Sequence, residues 1–489
     1  MIKCFTIVAN TVLALALVVP TSRSLSQTQA HSRDASTQDK TRLERFEKQV
    51  DDLRTQLGIP GLSAAVIKDQ KLLWARGFGF ADLEKRIAAS PDTVFHLASL
   101  TKTFAATLIM QLVEQGKLDL DEPMSHYSTD FKNDSVKIKH LLSHTSEGTP
   151  GERYQYSGNQ FEYLTAVIEK KFGKPFRVVI VETFFGPLGM SSSVPVHNIM
   201  DEADKWASLG KENLDRYAKN LSRLSQPYTL YGDREMILVP YPPKAFVGAA
   251  AGLLSTVVDM AKYDAAIDRH VFLKKKTQEK AWTAFVSNSG QTLMHGLGWF
   301  VTDYHGHKLI WHFGHWGTGF SAIYLKVPEK NVSLIMLANS EALADHQFQV
   351  GEDIVNNVFA CNFLRLFVFE NAQVYDCERN SQTALAKWRE DRRKNARNPL
   401  RLNPNVLEVY VGQYQFETEP DRIVTVSREG DRLFADLPRN FRSELFAESE
   451  SKFFLKSAKR EVVFIRHDKQ VTHFDLIGEG WTVRAKKIK

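Results

Sequence analysis

Ser99 and Lys102 stand three residues apart in FHLASLTKTFAATLIMQLVEQGK, residues 95–117. On a helix, positions i and i+3 share a face, so a serine hydroxyl and a lysine amine at this spacing can meet. A serine beside a lysine that has lost its proton is a nucleophile with its base. A helix N-terminus adds free N–H groups and a partial positive charge suited to an oxyanion. The same serine at a helix start is equally an ordinary N-cap. For Lys102 to accept a proton near neutrality, its pKa has to fall from roughly 10.4 by about three units, which burial and a neighbouring cation can bring about. The spacing alone is cheap. Ser-x-x-Lys recurs at Ser208/Lys211, where SLGK holds a helix-breaking glycine, and at Ser449/Lys452, where SESK falls among expected strands.

Two further stretches carry chemistry-bearing side chains. RYQYSGNQFEYLTAVIEKKFGKP places Tyr156 and Ser157 just before an amphipathic helix, and HFGHWGTGFSAIYL places His315, Trp316, Gly317 and Thr318 at the head of a strand. A tyrosine held near cations can share proton transfer with a lysine. Taken singly, a tyrosine is usually a packing residue, and a histidine beside a tryptophan usually belongs to a loop core. The chain has no C-x-x-C pair and no histidine cluster with metal-ligand spacing. Acyl transfer by a serine with a lysine base needs neither a metal nor an organic cofactor.

The elements that must position these residues follow from periodicity. From Ser99 onward, Phe104, Ala105, Leu108, Ile109, Leu112 and Val113 recur at three- and four-residue steps, and Gly116 is a natural terminator; this predicts a helix. A helix is expected from about Thr41 to Leu57. Two strands about a turn at Lys68 to Gln70 follow in GLSAAVIKDQKLLWARGFGFADL. AAAGLLSTVVDMAKYDAAI reads as a small-residue turn and a helix capped near Ser255 or Thr256. Strands are expected around 297–303, 308–313, 319–326 and 332–338, and a helix over 345–360. After a basic stretch, KWREDRRKNARNPLR, short runs such as VYVGQYQF, RIVTVS, RLFADL, KFFLKS, EVVFIRH and VTHFDLI alternate at about ten-residue spacing. That pattern predicts a small antiparallel barrel or sandwich. The basic stretch itself reads as a solvated linker helix rather than a nucleic-acid or membrane patch.

The first thirty residues have a basic start, an apolar run from Phe5 to Pro20 and a polar stretch of small residues, the layout of a secretory signal peptide. An uncleaved anchor is the alternative, but the run is interrupted by Thr6, Asn10 and Thr11 and falls short of the ~20 apolar residues that a span needs. Export to the periplasm or medium is therefore expected, with no stable membrane span after cleavage. Cleavage would leave Cys361 and Cys377, sixteen residues apart. That spacing is compatible with a disulfide in an oxidising compartment and does not establish one. The 489 residues, 43% hydrophobic and 25% charged with a net charge of +6, suit two or three globular domains. The expected division is a signal peptide over 1–30, a disordered lead over 31–42, a catalytic domain over 43–372, a linker over 373–404 and the β-barrel over 405–489.

In order, HLASLTKTF, HLLSHTSEG, YQYSGNQFEYL, AGLLSTVVDMAKY, GLGW and GHWGTGF, followed by LKVPEKNVSLIMLAN, resemble the serine β-lactamase-related family. That family contains class C β-lactamases, D-alanyl-D-alanine carboxypeptidases, D-aminopeptidases and related esterases. The resemblance covers roughly residues 43–360. It implies an α/β (α+β) fold with a central antiparallel sheet flanked by helices, and the terminal barrel resembles the lipocalin-like module that some members carry. It also implies an acyl-enzyme mechanism: Ser99 as nucleophile, Lys102 as its base and Tyr156 as the proton carrier. His315 and Gly317 would form the third motif, and the N–H groups of Ser99 and Thr318 the oxyanion hole. Two departures stand out. Gly158 occupies the place of an asparagine that contacts substrate, and His315 stands where lysine is common, which weakens a fixed charge for a substrate carboxylate. The implied function is an exported serine hydrolase acting on an amide or ester, a D-amino-acid peptide or a small ester. The alternative is a penicillin-recognising sensor that acylates without turnover. The partner is a small molecule or peptide and not nucleic acid. The barrel would border the cleft or serve packing.

Overall fold

The computed structural model describes residues 36–201, 203–232, 235–239, 241, 248–317, 319–345, 353–369, 375–437, 441–457, 460–468, 470–478 and 480–489. The signal segment and Thr318 lie outside the described residues. A seven-stranded antiparallel sheet forms the centre of the larger part. Its order is Ile87–Ala88, Lys71–Asp82, Gly61–Lys68, Val332–Ala338, Phe320–Val327, His307–Trp316 and Phe300–Tyr304. The register pairs Ala64 with Met336, Ile323 with Met336, and Ser321 with His315.

Side chains alternate across the central strands, and both faces are covered. Ala65, Ile67, Ala322, Tyr324, Ile335 and Leu337 pack into one core with the helices Thr101–Glu114 and Val257–Asp268. Their alternates Leu62, Ala64, Val66, Ile323, Leu325, Leu334 and Met336 pack into another with Thr37–Gln56 and Val358–Phe367. Every residue of Val332–Ala338 is buried, as a strand covered on both faces requires. Within the first core, Phe104 stacks on Tyr263 at 3.9 Å. Truncating the fully buried Leu108 to alanine would cost about 2–5 kcal/mol.

Several boundaries differ from expectation. The stretch 31–42 is not wholly a disordered lead, because the first helix starts at Thr37. Ser36 caps it, its Oγ accepting from the Asp39 N–H at 3.1 Å. The strand expected from 297 begins at Phe300, since Gly298 turns with φ +83° before it. The helix expected from 345 runs from Val358 to Phe367, where the Asn357 side chain accepts from the N–H groups of Phe359 and Ala360. Residues 346–352 lie outside the described residues.

The chain ends in a closed eight-stranded barrel, two strands more than the six sequence runs. The additional strands are Phe441–Ala447 and Trp481–Lys487. Aromatic rings fill its interior: Tyr410 lies 4.5 Å from Phe464, and Tyr414 5.0 Å from Phe474.

The basic stretch is helical only as far as Asn395, where the helix Tyr375–Asn395 ends, and it is only partly solvated. Leu385 and Trp388 are buried against the sheet-flanking core, and Arg392 pairs with the buried Glu341 at 2.5 Å. Cys361 and Cys377 form a disulfide that joins this helix to Val358–Phe367. The barrel docks on the hairpin of Tyr228–Tyr231 and Glu235–Leu238. There Phe454 stacks on Tyr231 at 6.0 Å and Lys456 pairs with Glu235 at 2.7 Å. Among the described residues, no helix is long and apolar enough to cross a membrane.

Candidate active site

Ser99 lies in a single 3-10 turn, Ala98–Leu100, that runs directly into the helix Thr101–Glu114. It is not the cap. The turn and the helix both begin without a side-chain cap bond, leaving the Ser99 hydroxyl available to Lys102. Ala98 adopts φ +48°, and its N–H donates to His96 Nδ1 at 2.9 Å, which holds the turn that presents the serine. The His96 ring in turn lies 4.2 Å from Trp316 and ties this turn to the end of strand His307–Trp316. Two glycines let backbones close around the pair. A Cβ on Gly314 would fall 2.3 Å from the Leu97 carbonyl, and one on Gly298 2.2 Å from the Ala106 Cβ.

Lys102 is almost fully buried. Its Nζ donates to Ser99 Oγ at 3.0 Å and to the Ala250 carbonyl at 2.8 Å. The Tyr156 and Phe161 rings lie 5.2 and 5.4 Å from the same nitrogen. Burial removes the water that would solvate an ammonium and lowers the pKa of Lys102 to about 7, against a smaller upward pull from Glu162. The three-unit fall that the chemistry requires is therefore supplied by desolvation, not by a neighbouring cation.

Tyr156 follows a loop and precedes the short helix Gly158–Glu162, which the Ser157 side chain caps by accepting from Gln160 N–H. Among the described residues, its buried hydroxyl has no hydrogen-bond partner of ordinary geometry. Burial raises its pKa, while Ser99 draws it down. The Tyr156 hydroxyl thus stays protonated and stands ready for the nucleophile or a reacting group. Gly158 leaves open space beside it, since an added Cβ would meet nothing within 4 Å. His315 occupies the end of strand His307–Trp316, and Gly317 follows in a turn at φ +42°. Thr318 lies outside the described residues, so its N–H is not placed. The structure thus brings Ser99, Lys102 and Tyr156 together, with the His315 to Gly317 segment joined to them through Trp316 and His96.

Residues that the sequence motifs did not single out complete the surroundings. Glu162 accepts from the Ala250 N–H at 3.0 Å and from the Thr165 hydroxyl at 3.0 Å, which fixes the residue whose carbonyl accepts from Lys102. Burial raises the Glu162 pKa. His144 packs on Tyr156 with ring centroids 4.4 Å apart. HLLSHTSEG and the small-residue AAAGLLST were the only signals for His144 and Ala250, and neither motif reveals which atom is used. A cavity of about 790 Å³ lined by Val113, Lys117, Leu118, Asp121 and Phe285 lies at the other end of the nucleophile helix, apart from the chemistry. Among the described residues, no group of three or more His, Cys, Asp or Glu side chains is arranged to hold a metal ion.

Comparison with known proteins follows this geometry. Residues 46–352 match the family model described as Beta-lactamase. The chain is 24% identical over 460 residues to penicillin-binding protein 4* of Bacillus subtilis (strain 168), covering 86% of this chain and 93% of that protein. The octameric penicillin-binding protein homologue from Pyrococcus abyssi superposes with a TM-score of 0.57 at 22% identity, over 90% of this chain and 99% of that one. The D-alanine carboxypeptidase AmpC from Burkholderia cenocepacia superposes with a TM-score of 0.52 at 18% identity, over 66% of this chain and 99% of that one. These likenesses bear out the expected fold.

Proposed function

The chain belongs to the Beta-lactamase family, and we propose that it is an exported serine hydrolase that cleaves an amide or ester through an acyl-enzyme on Ser99. The observation that carries this reading is the buried Lys102 Nζ, 3.0 Å from Ser99 Oγ, where desolvation lowers its pKa to about 7. Lys102 takes the Ser99 proton as Oγ attacks the carbonyl carbon. The N–H groups of Ser99 and Thr318 hold the oxyanion, worth about 3 kcal/mol for each donor. Tyr156 passes a proton to the departing amine or alcohol, and water then releases the acyl group with Ser99 reprotonated.

Gly158 in place of an amide, and His315 in place of a fixed cation, favour a D-amino-acid peptide or small ester over efficient β-lactam turnover. The Cys361–Cys377 disulfide supports export, because such bonds persist in oxidising compartments. Residues 43–372 would carry the chemistry, 373–404 the link and 405–489 the barrel.

The test is mass-spectrometric mapping of adducts from a fluorophosphonate probe and a fluorescent penicillin, on the wild type and on Ser99→Ala. A panel of p-nitrophenyl esters, D-amino-acid amides and a chromogenic cephalosporin accompanies it. Labelling confined to Ser99 with ester or amide turnover supports the hydrolase. A long-lived penicillin adduct on Ser99 with no turnover supports a penicillin-recognising sensor instead. Labelling that persists in Ser99→Ala overturns both.

A further inference from the structure

His144 touches the residues on both sides of Tyr156. Its backbone carbonyl accepts from the Gln155 N–H at 2.8 Å, and its Nδ1 accepts from the Ser157 N–H at 3.2 Å. Between these two bonds its imidazole lies against the Tyr156 ring, with centroids 4.4 Å apart and planes inclined by 31°. His144 itself sits at φ +53°, a conformation that β-branched and bulky residues rarely adopt, and that turns its carbonyl and its ring toward the same segment. One residue therefore fixes the backbone before Tyr156, the backbone after it and one face of its ring.

The imidazoles behind this clamp bear on its protonation. His312 Nδ1 lies 2.7 Å from the Phe313 carbonyl, and His295 Nδ1 lies 2.9 Å from the Gly296 carbonyl. A carbonyl only accepts, so the hydrogen-bond network assigns the proton of each neutral ring to Nδ1. His144 has the opposite tautomer, because its Nδ1 accepts from Ser157. Among the described residues, the three Nε2 atoms and the Tyr156 hydroxyl are buried without a hydrogen bond of ordinary geometry. They belong to one ring cluster: His144 is 4.9 Å from His295, His295 is 6.2 Å from His312, and His312 is 6.5 Å from Tyr156. A proton added to His144 Nδ1 would face the Ser157 N–H, donor against donor, and release the clamp. Burial, with Lys102, His295 and His312 as the facing groups, holds the His144 pKa well below its ordinary value and keeps the acceptor available.

We infer that His144 is the positioning residue of Tyr156, setting the tyrosine hydroxyl against Ser99 by gripping the peptides on either side of it. The inference rests on the hydrolase reading above, in which Tyr156 carries the proton. His144 touches no reacting atom and acts on them through Tyr156; its ring also packs on Phe161 at 5.3 Å, a contact whose effect would persist in the Tyr156→Phe background.

A double-mutant cycle on the full-length protein tests this. The readouts are the rate of Ser99 labelling by a fluorophosphonate probe and the hydrolysis of p-nitrophenyl acetate. His144→Phe keeps a ring against Tyr156 and removes the acceptor, and is expected to slow both by about tenfold to a hundredfold, the scale of a misplaced catalytic group. His144→Asn, whose side-chain oxygen can stand in for Nδ1, is expected to recover most of the rate. In a Tyr156→Phe background, His144→Phe is expected to cost little more, because coupled residues are non-additive. Should His144→Phe fail to fold by circular dichroism, His144→Leu, which likewise has no acceptor, takes its place in the cycle. A wild-type rate in His144→Phe, an undiminished cost in the Tyr156→Phe background, or His144→Asn as slow as His144→Phe would each overturn the inference. All three outcomes are read with Ser99 labelled. Labelling that survives Ser99→Ala is a separate result, which removes the underlying hydrolase reading.

Discussion

Lys102 and Lys326 are both 1% exposed, yet they are driven in opposite directions. Lys326 pairs with Asp264 and, at 2.9 Å, with Asp268, while Tyr324 donates to Asp264 at 2.7 Å. Burial lowers its pKa, but the two carboxylates outweigh burial and the net shift is upward. Among the described residues, Lys102 donates to a hydroxyl and a carbonyl and pairs with no carboxylate, Glu162 acting at longer range, and burial wins. Burial alone therefore does not make a base. A buried amine becomes one where its neighbours accept hydrogen bonds without carrying full charge. Lys452, in the barrel copy of Ser-x-x-Lys, is a third case. It is 37% exposed, pairs with Glu448 at 2.9 Å and Glu461 at 3.1 Å, and its pKa is raised.

This contrast is broken most directly at the nucleophile. Ser99→Ala, and separately Lys102→Met, should each lower the ester hydrolysis rate by at least about 10³-fold, whereas Ser449→Ala should leave it unchanged; steady-state kinetics on one ester decides. Next in size is stability. Lys326→Met strands the buried Asp264 and the partly buried Asp268 and should cost about 3–5 kcal/mol in urea denaturation.

Lys102→Met should act with the opposite sign and raise the melting temperature. The folded pKa of Lys102 lies below its unfolded value, so between about pH 7 and 10.5 the unfolded state binds more protons and wild-type stability rises with pH. The variant should lose that rise. Lys326 contributes the reverse, stability present below pH 10.5 and lost as pH climbs through its raised folded value. Melting curves at pH 7 and 9.5 compare the two signs. A Lys102→Met protein less stable than wild type would contradict the account of desolvation.

A smaller effect concerns pH dependence. Activity should rise through about pH 7 as Lys102 loses its proton. Glu162→Gln removes the group that pulls that pKa upward and should move the limb to lower pH by under about one unit. A limb moved to higher pH would reverse the role assigned to Glu162. Least of all, Lys452→Ala should change stability by no more than about 1 kcal/mol, the ordinary scale of an exposed ion pair.

Much of the fold was legible along the chain. The turn at Lys68 to Gln70, the nucleophile helix and the strands from 307 to 338 follow from period-two and period-3.6 patterns, because each buries a defined face. Thr256 caps its helix as expected, accepting from Asp259 N–H. Two barrel strands escaped notice: FRSELFA and WTVRAKK are short and largely polar, and closure of the barrel supplies what their composition does not. The linker helix was read as solvated from its charge density, but Trp388 and Arg392 face inward, which only the position of Glu341 reveals.

For the site, the family resemblance of the ordered motifs picks out Ser99, Lys102, Tyr156, His315, Gly317 and Thr318; the structure brings the first three together, and Thr318 lies outside the described residues. Spacing could not separate Ser99/Lys102 from Ser449/Lys452, because both pairs are three residues apart in sequence. What distinguishes them is the removal of water and counter-ions from Lys102, and that is done by Ala250, Phe161 and Tyr156, which are 148, 59 and 54 residues away in sequence. A pKa is a property of an environment, and the environment of Lys102 is assembled only when distant segments pack. The sequence by itself determined which groups are available to react; the tertiary structure decided which of three identical pairs holds a lysine able to take a proton.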